Sequence, residues 1–225
     1  MRHFVVEMSD LKNRLLDMSR LVQETIKNAI DGLVNRDSKL FATVFSLEEE
    51  INIQEIVIDD KCLKLIALNQ PVGGDLRFIT SAMKINSDLE RMGDEAVNIS
   101  EGAANLIKYP ELKPLIDIPL MSGIVQQMVA DSIMAFNTTD VELAKATLVK
   151  DDEVDDLQKK VFSDLKDFMV KSSDFETIQR AVDLMFIARS LERIGDHATN
   201  ISEDVIFMVH GKDVRHPRTR IFKTD

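Results

Sequence analysis

The sequence predicts an all-α protein built as two tandem three-helix bundles, and three features predict it. The first is an internal repeat. Leu-Glu-Arg-Met-Gly-Asp-Glu-Ala-Val-Asn-Ile-Ser-Glu at 89–101 returns as Leu-Glu-Arg-Ile-Gly-Asp-His-Ala-Thr-Asn-Ile-Ser-Glu at 191–203, with ten of thirteen positions identical. Unrelated amphipathic helices share a pattern of apolar positions, not the identity of their polar residues. The second is composition: 44% apolar and 30% charged residues, with 8 glycines, 5 prolines, no tryptophan and one tyrosine. Long helices tolerate such a mixture, whereas sandwiches and doubly wound sheets rarely have it. The third is the punctuation of the chain, which divides apolar residues spaced three and four apart into two sets of three segments.

A first helix is predicted over 8–36, where Met8, Leu11, Leu15, Met18, Val22, Thr25, Ala29 and Leu33 form one stripe. Asn35-Arg36-Asp37-Ser38 interrupts it, and Asp37 is the expected cap of a second helix over 38–69. Gln70-Pro71-Val72-Gly73-Gly74-Asp75 breaks the chain again, with Asp75 able to cap a third helix over 76–107. Pro110, Pro114 and Pro119 then mark a linker at 109–119. The pattern recurs over 120–137, 139–171 and 175–209, with Ser172-Ser173-Asp174 between the last two. The expected organisation is a first repeat at 1–108, the linker, a second repeat at 120–210 and a basic tail at 211–225 that opens on a capping Gly211. A helix of about 30 residues extends roughly 45 Å and needs partners along its whole apolar face, which a three-helix bundle supplies.

The net charge of −11 argues against binding nucleic acid through phosphate contacts, and anionic lipid should repel so acidic a surface. Cys62 is the only cysteine, so a disulfide or thiolate cage within one chain is excluded and a reducing compartment is expected. The start of the chain has no signal-peptide core, and no apolar run approaches the ~18 residues of a membrane span. The expectation is a soluble cytoplasmic protein.

The repeated motif carries the chemistry. At ~100° per residue, Glu90, Asp94, Asn98 and Glu101 fall within about a quarter of the helix circumference, beside the apolar stripe. Glu192, Asp196, Asn200 and Glu203 repeat them. Like charges four apart and a mid-helix glycine (Gly93, Gly195) oppose the helix, the glycine by about 1 kcal/mol. The second helix of each repeat is acidic too: Asp151 and Asp155 in one, Glu48 and Asn52 at the matching positions of the other, with Glu55 and Asp59 continuing that face. In an antiparallel pair, 48–59 can face 90–101, so two acidic ridges meet. Facing carboxylates must be protonated, separated or bridged by cations, and rows of oxygen ligands suit hard metal ions. Solvated helix faces with ordinary salt bridges are the alternative for one ridge, and are harder to accept for two copies. His197 replaces Glu95 and is either a ligand of the second site or a local hydrogen-bond partner. The glycines also have a packing explanation, the close approach of a neighbouring helix. No Ser/His/Asp arrangement, glycine-rich phosphate loop, HExxH or Glu-x-x-His pair is present.

The twin Leu-Glu-Arg-[Met/Ile]-Gly-Asp segments, Gln70-Pro71 with Asp75-Leu76-Arg77, and the ending Gly211-Lys212-Asp213-Val214-Arg215-His216 closely resemble the PhoU family over essentially the full length. The resemblance implies two tandem three-helix bundles. It also implies a regulator of inorganic phosphate uptake that restrains the phosphate-specific ABC transporter through its ATPase subunit and keeps the phosphate-regulon sensor histidine kinase quiet. Such a protein would be peripheral to the membrane through these partners only, and a homodimer is expected. The family's E(D)xxxD motifs imply multinuclear metal clusters, of iron first and otherwise of manganese, zinc, nickel or magnesium. By position they fall on Glu90 and Asp94, Glu192 and Asp196, and Asp151 and Asp155. Glu48 and Asn52 depart from the pattern, because Asn52 is neutral. Two classes stay open: a non-enzymatic regulatory adaptor, and a metal-handling or catalytic bundle whose clusters do chemistry.

Overall fold

The computed structural model describes residues 2–172 and 174–214. Six helices account for nearly all of them: α1 (Arg2–Asn35), α2 (Ser38–Asn69), α3 (Gly73–Leu106), α4 (Asp117–Thr138), α5 (Val141–Lys171) and α6 (Phe175–His210). The two bundles are α1–α3 and α4–α6. The basic tail expected over 211–225 is described only as far as Val214, and the rest lies outside the described residues.

Aspartates cap the starts of α2, α5 and α6. Asp37 accepts the Lys39 N–H at 2.9 Å, Asp140 those of Glu142 and Leu143 at 3.0 Å each, and Asp174 that of Thr177 at 2.9 Å. Each satisfies donors that the first turn leaves unpaired. Gly211, at φ 66°, closes α6 by donating to the Phe207 carbonyl at 2.7 Å.

Three helix starts differ from the sequence expectation by three residues or more. α1 begins at Arg2 instead of 8, because Phe4 extends the half-buried stripe of Met8 toward the core. α3 begins at Gly73, so Asp75 lies within the first turn, where its charge favours the helix dipole, and does not cap it. α4 begins at Asp117, which places Pro119 of the expected linker inside the first turn. There a missing N–H deprives the helix of no bond.

The bundles do not hang apart. α3 and α6 make the largest helix contact in the molecule, α1 and α4 add another, and the buried side chains form one continuous core. α3 and α6 run antiparallel, as a ladder of bonds shows: Arg77 Nε donates to the Met208 carbonyl at 3.2 Å, Lys84 Nζ meets Asp204 at 2.9 Å, Asp88 meets His197 at 2.8 Å and Glu95 meets Arg193 at 2.7 Å. The two motif copies therefore cross each other at the centre of the molecule. Each presents one edge to the other copy and another to the acidic helix of its own bundle.

Candidate functional site

The first ridge lies between α2 and α3. Gly93 permits the approach: a Cβ there would stand 3.2 Å from Ile51 Cδ1. Asn86 fastens the pair, its Nδ2 donating to the Glu55 carbonyl at 2.9 Å and to Asp59 Oδ1 at 3.0 Å. Along this pair of helices Glu48 and Glu55 face Glu90 and Asp94. Burial raises the Glu90 carboxyl above its ordinary range, and Asp94, Glu55 and Glu48 raise it further, against the pull of Arg91. Burial, then Glu48 and Glu95, raise Asp94 against the pull of Arg91. Burial, Asp59 and Asp94 raise Glu55. Asn52 Nδ2 donates to Glu48 Oε1 at 2.5 Å, while its own carbonyl oxygen is buried without a partner.

The second ridge lies between α5 and α6. Gly195 again faces the neighbouring helix, with Asp151 Oδ1 3.5 Å and Val154 Cγ1 3.6 Å from the position of a Cβ. Asp151 is the most perturbed carboxyl of the pair of ridges: burial first, then Asp196, Asp155 and Asp152, push it up to about 6. Burial followed by Asp196 and Asp155 raises Glu192, and burial followed by Asp155 raises Asp196 against His197 and Arg193. Asp151 Oδ1 is buried and accepts no hydrogen bond.

Asn98, Glu101 and Asn200 do not join the ridges in this way. In the first bundle Asp59 lies by Asn86 and Ile51 by Gly93, so the acidic run of α2 ends opposite Asp94. Asn98 and Glu101 lie beyond that end. They line a groove of about 450 Å³ between α3 and α6 together with Arg189 and Arg193, and Asn98 Nδ2 donates to Glu95 at 3.2 Å. Asn200 donates to Asp88 at 3.2 Å and lines the counterpart groove of about 280 Å³ with Lys84, Ser87 and Arg91. Glu203 is half-buried on α6, two turns beyond Asp196.

His197 belongs to the seam between the repeats: it is buried, with Nδ1 2.8 Å from Asp88 Oδ1. Sequence reading missed Asp88. The signal was a paired departure from the repeat, since Asp88 stands where the second copy has Ser190 and His197 where the first has Glu95.

The donor chemistry fits hard cations. Each ridge offers only oxygen ligands, carboxyls raised first by burial and then by one another, and one buried oxygen without a partner. Their spacing is wider than a bound ion needs: among the described residues, no three His, Cys, Asp or Glu gather closely enough to hold one. Burial pushes the Cys62 thiol up to about 12, which removes it as a thiolate ligand.

Residues 15–103 and 118–205 each match the PhoU domain. A phosphate-specific transport system accessory protein PhoU homolog of Aquifex aeolicus is 42% identical over 93% of this chain and 94% of its own length. The homolog of the same name from Pseudomonas aeruginosa is 37% identical over 96% of this chain and 88% of its own. The crystal structure of PhoU from Pseudomonas aeruginosa superposes with a TM-score of 0.89 at 36% identity, over 93% of this chain and all of that one. That of the phosphate transport system regulatory protein PhoU from Streptococcus pneumoniae gives 0.86 at 27% identity, over 95% of this chain. With both repeats matched and relatives aligned along nearly its whole length, the chain belongs to the PhoU family.

Proposed function

We propose that this chain is a non-enzymatic cytoplasmic regulator of inorganic phosphate uptake. It restrains a phosphate-specific ABC transporter at its ATPase subunit and holds the sensor histidine kinase of the phosphate regulon in its quiet state when phosphate is plentiful. Membership of a family whose relatives are named accessory and regulatory proteins of phosphate transport carries the reading. Two further observations support it. The sequence offers no catalytic constellation, and no helix among the described residues is long and apolar enough to cross a membrane, so contact with a transporter goes through protein surface.

Metal clusters are part of the proposal. Asp151, Asp155, Glu192 and Asp196 would hold the second, and Glu48, Asn52, Glu55, Glu90 and Asp94 the first. Bound cations would supply the positive charge that two facing rows of carboxylates lack, iron first and manganese, zinc, nickel or magnesium otherwise. The chain's own contribution is to hold the rows parallel: Gly93 and Gly195 set the helix separation, and Asn86 and Asn52 fix the side chains between them.

The test is genetic. Deleting the gene should leave a reporter of the phosphate-starvation response switched on in phosphate-rich medium. A reporter that shuts off normally in the deletion contradicts the proposal.

A further inference from the structure

The grooves on the two sides of the α3–α6 seam are repeats of one another, so each serves as a control for the other. Moving 102 residues along the chain takes Lys84 onto Phe186, Ser87 onto Arg189, Gly102 onto Asp204 and Asn105 onto Phe207. The smaller groove is filled by its own side chains. Lys84 Nζ bonds the buried Asp204 at 2.9 Å and lies over the Phe207 ring, 5.3 Å from its centroid. The larger groove keeps none of this. Phe186 is 61% exposed, and Gly102 puts no side chain over the floor. There the helices close until a Cβ would stand 3.3 Å from Ile187 Cγ1 and 3.8 Å from the Asp183 carbonyl. Among the described residues Arg189 makes no hydrogen bond or ion pair, and its charge is felt by the Glu192 carboxyl. The fold does not require these residues, since the same helix pair closes on an ion pair at the other groove. An open groove of about 450 Å³ with an exposed ring and an uncommitted guanidinium has the dimensions of a small-molecule site, roughly 300–1,000 Å³.

The lining is bipolar. Asp183, Phe186, Arg189 and Arg193 recur every three or four residues on α6 and share one face over about 15 Å. One end is basic: Arg193, half-exposed and held by Glu95 at 2.7 Å, stands one turn from Arg189, with the Asn98 amide on the α3 side. The other end accepts hydrogen bonds, with Asp183 beside Gly102 and Glu101 on the α3 side. We propose that this groove binds a purine nucleoside diphosphate, its phosphates on Arg189 and Arg193 and its base against Phe186. Guanidinium groups take phosphate oxygens in pairs, and an exposed ring offers a face on which a base stacks. A two-ring base carries its N–H edge toward Asp183, and the ribose hydroxyls are donors for Glu101. The acids at that end oppose inorganic phosphate or pyrophosphate but accept from a nucleoside, which selects the nucleotide over a bare anion. The site lies apart from the carboxylate ridges and stands or falls separately from the regulation of phosphate uptake.

The test is calorimetric titration of the full chain, as purified and without added divalent cation, with ADP and with GDP. At least one of them should bind with a Kd below about 100 µM, and pyrophosphate should bind about tenfold more weakly or worse for want of a base. Phe186→Ala and Arg189→Ser, both on the solvent side, should keep the helix signal in circular dichroism and each weaken binding about tenfold or more. Ser87→Ala, in the smaller groove, should leave the affinity unchanged. Failure of both nucleotides to bind below about 100 µM overturns the proposal. Pyrophosphate that binds as tightly as the nucleotide also overturns it, as does an affinity indifferent to Phe186→Ala. A nucleotide held by ions at the ridges would show that last pattern, and would be lost instead with the double change Glu192→Gln, Asp196→Asn.

Discussion

Asp151 concentrates the conflict built into the ridges. Its carboxyl sits near 6, against an ordinary 3.8, because burial and three neighbouring aspartates oppose its charge. A carboxyl raised in the folded state binds more protons there than in the unfolded chain. Its ionisation therefore destabilises the fold above about pH 6, and that penalty fades as pH falls from about 6 toward 4. Glu55, Glu90, Asp94, Glu192 and Asp196 are raised as well and act in the same direction. The carboxyls held low by Lys61 and Lys113, namely Glu7, Asp10 and Asp164, contribute stability that is lost only in stronger acid. Chelated protein should accordingly melt higher at pH 5.5 than at pH 7.5, and Asp151→Asn should raise the neutral melting point. After discounting for solvent screening, the gain is about 1 kcal/mol, or about 2–4 °C for a chain of this size. A chelated protein with the same melting point at both values would count against the facing geometry.

The same residues predict metal content. Elemental analysis of purified protein should find more than one hard ion per chain, and the double change Glu192→Gln, Asp196→Asn should remove most of the ions held at the second ridge. Equal loading of parent and variant would show that these side chains are not the ligands.

At the scale of the helix, the sequence was legible wherever the signal was local. The stripe spacing of α2 and the caps Asp37 and Gly211 follow from short-range chemistry and recur in the structure. The ends of α1, α3 and α4 were not legible, because tertiary contact extends a helix past its best local stop. The ridges at Glu48–Glu55 and Glu90–Asp94 could be anticipated because antiparallel pairing follows from a short turn. The fate of Asn98, Glu101 and Asn200 could not, since it depends on how α3 meets a helix a hundred residues away.

The two glycines show how much such detail matters. At Gly93 a methyl would press on Ile51 at 3.2 Å, whereas at Gly195 its nearest neighbours stand at 3.5–3.7 Å, an ordinary contact. Gly195→Ala should therefore stabilise α6 by up to about 1 kcal/mol through helix propensity, and Gly93→Ala should gain less or lose. Gly195→Leu should overpack against Asp151 and Val154 and cost about 1–3 kcal/mol. Thermal unfolding of the three variants checks the order, and a stabilised Gly195→Leu would mean that α5 does not approach α6 closely there.

Across the whole molecule, the repeat does more than double a bundle. The motif copies meet on the seam between α3 and α6, and the seam departs from the repeat where the polar contacts lie. Arg193 reaches Glu95, whose side chain is 6% exposed, while the position matching Glu95 holds His197 bound to Asp88. An adaptor transmits through shape, so its two bundles must keep one relative orientation, whereas a cluster protein depends on its ions. Glu95 and Asp88 separate these demands, because they fasten the seam and lie outside the set of ridge ligands. Glu95→Ala leaves the half-exposed Arg193 without its partner across the seam, and Asp88→Ala strands Asn200 and the buried His197, at a cost of about 1–3 kcal/mol for the buried imidazole left unpaired. Combining Asp88→Ala with His197→Ala should cost less than the sum of the single changes, with a coupling of about 0.5–3 kcal/mol in urea unfolding. For function, the Asp88→Ala, Glu95→Ala variant should keep its metal content and its helix signal yet fail to switch off the phosphate-starvation reporter. Normal shut-off by a variant whose seam is measurably weakened would mean that the relative placement of the bundles is not what the regulated partners read, and would move the weight of the argument to the ions.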